Sequence, residues 1–140
     1  FLARGALVPI AYEGALKLKE TSYIHAEAYP GGELKHGPIA LISDGTPVVA
    51  MAPSGPLQAR MAANIEEVAA RGARVHVITD AASDGAFPNA ASVLAVPSAP
   101  AELAPVIHTV PMQLLAYHAA LARGTDIDQP RNLAKSVTVQ

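Results

Sequence analysis

Glu13, Lys17 and Glu20 follow one another at spacings of four and three residues. On a helix turning about 100° per residue they fall within about 60° of arc, on one face. Two chemistries fit. The three are a solvated face of i,i+3 and i,i+4 ion pairs, or Glu20 is a carboxylate base beside the Lys17 ammonium, suited to taking a proton next to a carbonyl. His36, in "YPGGELKHGPIALI", lies between Lys35 and Gly37-Pro38, where exposure is expected. It is an ordinary loop histidine or a group exchanging protons near neutrality. Lys135 sits in the closing "DQPRNLAKSVTVQ", flanked by Ala134 and Ser136. Pro130, Leu133, Val137 and Val139 predict a terminus tied down against something. A lysine held in such a partly dry place can lose its proton and attack a carbonyl; a solvated lysine is the alternative.

His25, His76, His108 and His118 fall inside helix or strand patterns and are read as structural. No His, Asp or Glu group has metal-ligand spacing, so neither a metal nor any other cofactor is expected. "APSGPLQ" (52–58) follows a strand pattern and precedes a helix pattern, where backbone N–H groups can hold a phosphate. It offers one hydroxyl, Ser54, and Pro53 and Pro56 have no N–H. An ordinary turn is the better reading.

These residues need elements to hold them. "PIAYEGALKLKETSYIHAEAY" predicts a helix beginning near Pro9, with Ala11, Ala15, Leu18 and Ser22 as its packing stripe. "TPVVAM" (46–51) and "RVHVITD" (74–80) read as strands covered on both faces, "SVLAVP" (92–97) as a third strand and the opening "FLARG" as a fourth. Between the first two, "LQARMAANIEEVAARG" carries Leu57, Met61, Ile65 and Val68 at helical spacing, with Gly72 as a stop. Strand, helix, strand implies a right-handed crossover and a parallel sheet. "PAELAPVIHTVPMQLLAYHAALARG" predicts a long helix with Leu103, Ile107, Val110, Leu114 and Leu121 on its apolar side and a kink or break at Pro111. The expectation is a single α/β domain.

Composition narrows the function. A net charge of −2 across 140 residues leaves no footprint for nucleic acid or an anionic membrane. Aromatics at 4% with no Trp argue against base-stacking platforms. Zero cysteines remove disulfides and thiol catalysis and fit a reducing, cytoplasmic setting. No apolar run approaches the roughly 20 residues of a membrane span. Residue 1 is Phe, so no signal peptide can be read and the chain reads as part of something longer.

"EGALKLKETSYIHAEAYPGGELKHGPIALI", "TVPMQLLAYHAALARGTDIDQPRNLAKSVTV" and the βαβ unit between them resemble the C-terminal part of the glutamine–fructose-6-phosphate aminotransferases, or glucosamine-6-phosphate synthases, over essentially the whole chain. The ending "DQPRNLAKSVTV" separates this family from other sugar isomerase (SIS) domain proteins. The resemblance implies a flavodoxin-like three-layer α/β/α SIS domain, with a parallel sheet of four to five strands flanked by helices. Residues 1–123 would be the second SIS domain, truncated at its N-terminus, and 124–140 the tail carrying the active-site lysine.

It also implies the chemistry: ammonia from glutamine joins fructose 6-phosphate, and the product is isomerised to glucosamine 6-phosphate. Glu20 would move the proton between C1 and C2, with Lys17 supporting it and the sugar hydroxyls. Lys135 would form a Schiff base with the keto carbon, Ala134 would touch the sugar through its backbone, and His36 would be supplied across a homodimer interface to open the ring. The first SIS domain, with its phosphate-binding Ser/Thr loop, and the glutaminase domain are missing partners, so the fragment alone is expected to be inactive. A sugar-phosphate-sensing SIS module without turnover, and a SIS deglycase or deaminase, are the competing readings.

Overall fold

Val48, Ala50 and Ala52 are buried toward one side of their strand, and Met51 toward the other, with Val49 packed beside it. A strand apolar on both faces must be covered on both faces, and this requirement organises the molecule. The computed structural model describes residues 1–80 and 85–132. Within them five parallel strands, β1 (Leu2–Ala3), β2 (Tyr29–Pro30), β3 (Pro47–Met51), β4 (Arg74–Asp80) and β5 (Ser92–Val96), form one sheet in the order β2-β1-β3-β4-β5. Three helices cover it: α1 (Val8–Ser22), α2 (Gln58–Ala69) and α3 (Ala104–Arg123). The architecture is three-layered, with α2 on one face and α1 with α3 on the other.

The βαβ unit matches its sequence pattern closely. Met61, Ile65 and Val68 on α2 are buried with Val75 and Val77 of β4, each such side chain contributing roughly 1.5–3 kcal/mol. Leu57, expected on that stripe, lies just before the helix and is exposed. Gly72, at φ +89, makes the turn into β4; a Cβ there would come within 2.8 Å of the Asp44 backbone.

α1 begins with Pro9 in its first turn and buries Ala11, Ala15 and Ser22. It stops sooner than "YIHAEAY" suggests. Tyr23 closes it in the left-handed region at φ 58, and the chain runs on into β2, a strand the sequence pattern did not single out.

α3 departs most from expectation. Leu103, Val110, Leu114 and Leu121 are exposed, and the helix instead buries His108, Pro111, Met112, Ala116 and Ala120. The reason lies on α1. Gly14 has no side chain, and a Cβ there would meet Met112 Sδ at 2.8 Å, so the helices approach through small residues and the larger leucines stay outside. Pro111 lies within α3 without ending it.

Candidate active site

α1 brings Glu13, Lys17 and Glu20 together on successive turns. Lys17 Nζ donates to Glu20 Oε2 at 2.8 Å and lies 3.6 Å from Glu13 Oε1, all three side chains being partly exposed. The hydrogen bond to Glu20 is the main cause that raises the Lys17 pKa; desolvation opposes it, and the charges of Glu20 and Glu13 add to it. An ammonium held this firmly is a fixed cation, so proton exchange at this pair falls to the carboxylate.

The approach to the tail is pinned to the same turn. Thr125 Oγ1 donates to the carbonyls of Thr21 at 2.7 Å and Ala120 at 3.1 Å. Asp126 Oδ1 then accepts the N–H groups of Asp128 and Gln129, at 3.0 and 2.9 Å, which turns the chain. Arg131 donates its backbone N–H to the Tyr23 hydroxyl at 2.9 Å, and its guanidinium lies 4.1 Å from the centroid of that ring. Sequence reasoning did not single out Tyr23 or Arg131. The available signal was an aromatic three residues beyond Glu20 and an arginine directly after Pro130. Ala134 and Lys135 lie outside the described residues.

His36 is exposed, as expected, in a short 3-10 turn, Leu34–His36. Leu34 is buried in the cluster under α2, and Lys35 Nζ lies 2.7 Å from Glu67 Oε1 on α2. His36 therefore belongs to the α2 layer and Glu20 to the α1 layer, so one chain does not bring them together. The other histidines divide. His108 is buried, whereas His118 and His25 are exposed, His25 being 3.5 Å from Glu27. His76 Nδ1 lies 2.7 Å from Ser92 Oγ. His118 lies inside α3, as expected, on its exposed side, whereas His25 falls outside the helix because Tyr23 ends it. The 52–58 segment is a turn whose Ser54 N–H and hydroxyl both donate to Asp80.

Among the described residues, no three His, Asp or Glu side chains converge as a metal site would require, and no helix is long and apolar enough to cross a membrane. An apolar strip along α3, from Leu103 and Val106 through Val110 and Leu114 to Tyr117 and Leu121, is exposed.

The whole chain is 58% identical to the glutamine–fructose-6-phosphate aminotransferase (isomerizing) of Legionella pneumophila, spanning 23% of that protein. Among solved structures, the C-terminal domain of glucosamine-fructose-6-phosphate aminotransferase from Francisella tularensis superposes with a TM-score of 0.87 at 50% identity, over 92% of this chain and 36% of that one. The glucosamine-6-phosphate deaminase of Thermotoga maritima superposes with a TM-score of 0.74 at 31% identity, over 98% of this chain and 39% of that one. The family profile described as the SIS domain matches residues 1–123. With the parallel three-layer sheet already seen, this match shows that the chain belongs to the SIS domain family.

Proposed function

We propose that the chain is the isomerase-side SIS domain of a glutamine–fructose-6-phosphate aminotransferase, working in the cytoplasm within a larger homodimeric protein that also carries a first SIS domain and a glutaminase domain. Glu20 moves the proton between C1 and C2 of the open-chain sugar phosphate. Lys17 holds that carboxylate and contacts hydroxyls, Lys135 engages the keto carbon as an imine, Ala134 contacts the sugar through its backbone, and His36 of a second copy assists ring opening. Residues 124–140 act as the tail that delivers Lys135.

The observation that carries this reading is the pinning of Arg131 to Tyr23, three residues from Glu20. Lys135 follows Arg131 by four residues, a reach of at most ~14 Å, so a tail anchored there starts within range of the Lys17–Glu20 pair. The 58% identity along the whole chain supports the same assignment. The exposed apolar strip of α3 supports burial against another domain or subunit.

The test is complementation. Full-length Glu20→Gln and His36→Ala proteins, each inactive in glucosamine 6-phosphate formation, regain part of the activity when mixed and allowed to exchange subunits. Failure at every mixing ratio would remove the shared site. The likeness to the Thermotoga maritima deaminase favours a second reading, ammonia release from an amino-sugar phosphate. Glutamine-dependent product formation by the same protein decides between the two.

A further inference from the structure

A cavity of about 250 Å³ opens at the carboxyl ends of β3 and β4, between the 52–57 turn and the start of α3. It is distinct from the Lys17–Glu20 pair: Leu7 lines it, and Glu20 lies ~20 Å further along the same helix at 1.5 Å per residue. Its walls are largely apolar, with Met51, Met61, Leu57 and Ile107 among them.

The polar groups on its walls set its chemistry. A turn between a strand and a helix ordinarily offers N–H and O–H donors to an anion. Here Asp80, only 6% exposed, takes both Ser54 donors, the N–H at 3.2 Å and the hydroxyl at 2.5 Å. The chain's own carboxylate takes the two donors that this turn would offer an anion. His108 on α3 is 2% exposed and lines the same cavity. Its Nδ1 lies 2.9 Å from the Ala104 carbonyl, which can only accept, so Nδ1 carries the proton and Nε2 is left as an acceptor. That Nε2 is buried and has no partner among the described residues. Burial holds the imidazole below its ordinary pKa, with the Ala104 carbonyl and Asp80 pulling the other way, so it is neutral at neutral pH. Arg4, the cation on the wall, is engaged elsewhere. Its Nε donates to Asn64 Oδ1 at 2.9 Å, and its guanidinium lies beside Gly31 and Gly32.

We propose that this cavity binds a small amine or alcohol with an apolar body, which donates to His108 Nε2 and to Asp80, and that it is closed to phosphates. The body packs against Met51 and Met61. A buried acceptor without a donor is costly, and a donor-bearing ligand relieves that cost. The site goes beyond the sugar chemistry proposed above and does not depend on it.

Methionine methyl signals of the full-length protein test this directly, because Met51 and Met61 line the cavity and Met112, packed on Gly14, does not. Cyclohexylamine and cyclohexanol are titrated to tens of millimolar, with inorganic phosphate as the anion probe. Saturable movement of the Met51 and Met61 signals with the amine or the alcohol, Met112 staying still, is the expected result. His108→Phe keeps a ring in the core but removes the acceptor, and weakens binding about tenfold. Ser54→Ala, on an exposed turn, releases an Asp80 lone pair and tightens amine binding, which keeps the test open should His108→Phe not fold. Phosphate moving the two methyls, silence with both organic probes, or affinities unchanged in both variants would each overturn the proposal.

Discussion

The Tyr23 hydroxyl accepts the Arg131 backbone N–H at 2.9 Å while the Arg131 guanidinium lies 4.1 Å from the centroid of the same ring. One side chain thus holds the last described stretch of the chain by two different forces. Tyr23 adopts φ 58 to do so, a conformation uncommon for a residue with a Cβ. The clasp joins the end of α1 to the approach of the tail.

Breaking it therefore has a specific consequence. A neutral hydrogen bond contributes about 1 kcal/mol and an exposed cation–π contact about 0.5–1 kcal/mol. Tyr23→Ala in the full-length protein is expected to lower glucosamine 6-phosphate formation about tenfold, with glutamine hydrolysis retained. Tyr23→Phe, which keeps the ring face, falls between. Equal loss of both activities would make Tyr23 a general stability residue instead.

Glu20→Gln keeps the shape of the side chain and removes its basicity. General base catalysis contributes ~10²–10⁴-fold, so with Glu20 in the role proposed above the expected outcome in the full-length protein is a fall in isomerisation of at least that order, with glutamine hydrolysis retained. A loss smaller than tenfold returns Glu13, Lys17 and Glu20 to the role of a surface ion-pair face. Lys17 itself, with its pKa raised, stays charged until pH climbs above its ordinary value near 10.5, so no activity limb near neutrality belongs to it.

Gly14→Ala tests the helix contact that exposes the α3 leucines. The new Cβ would stand 2.8 Å from Met112 Sδ and 3.3 Å from Met112 Cβ. Overpacking of this kind costs about 1–3 kcal/mol, read as a lower urea midpoint with an unchanged slope. In a Met112→Ala background the Gly14→Ala cost should shrink, because the 2.8 Å contact with Met112 Sδ is gone and only the 3.3 Å approach of the two Cβ atoms remains.

His108 gives the fold a pH dependence of defined sign. Its pKa is lowered in the folded state, mainly by burial. The unfolded chain therefore binds more protons just below the ordinary histidine value, and stability rises with pH there. The stability is complete above about pH 6.5 and is lost as pH falls through that value toward the lowered folded one. Urea midpoints measured between about pH 7 and pH 5 should decline, and His108→Phe should flatten the curve. An unchanged slope in the variant would assign the decline to other groups.

Much of the sheet was legible in the chain alone. "RVHVITD" is β4 residue for residue, and the 57–68 pattern buries three of its four marked positions, because a strand or helix covered by the sheet must be apolar on a fixed period. The Lys17–Glu20 pair was equally visible, since i,i+3 neighbours on one helix meet whatever surrounds them. Where α3 would pack was not visible. Its sequence is apolar around most of its circumference, so periodicity offered several faces, and the close approach allowed by Gly14 selected the one built on Met112, Ala116 and Ala120. Tertiary structure also decided that His36 and Glu20 belong to opposite layers, that Tyr23 receives Arg131 from 108 residues away, and that Asp80 fills the Ser54 turn. Each of these joins segments distant in sequence. Local pattern determines what an element is, whereas which surfaces meet depends on volumes and partners that no single stretch of sequence contains.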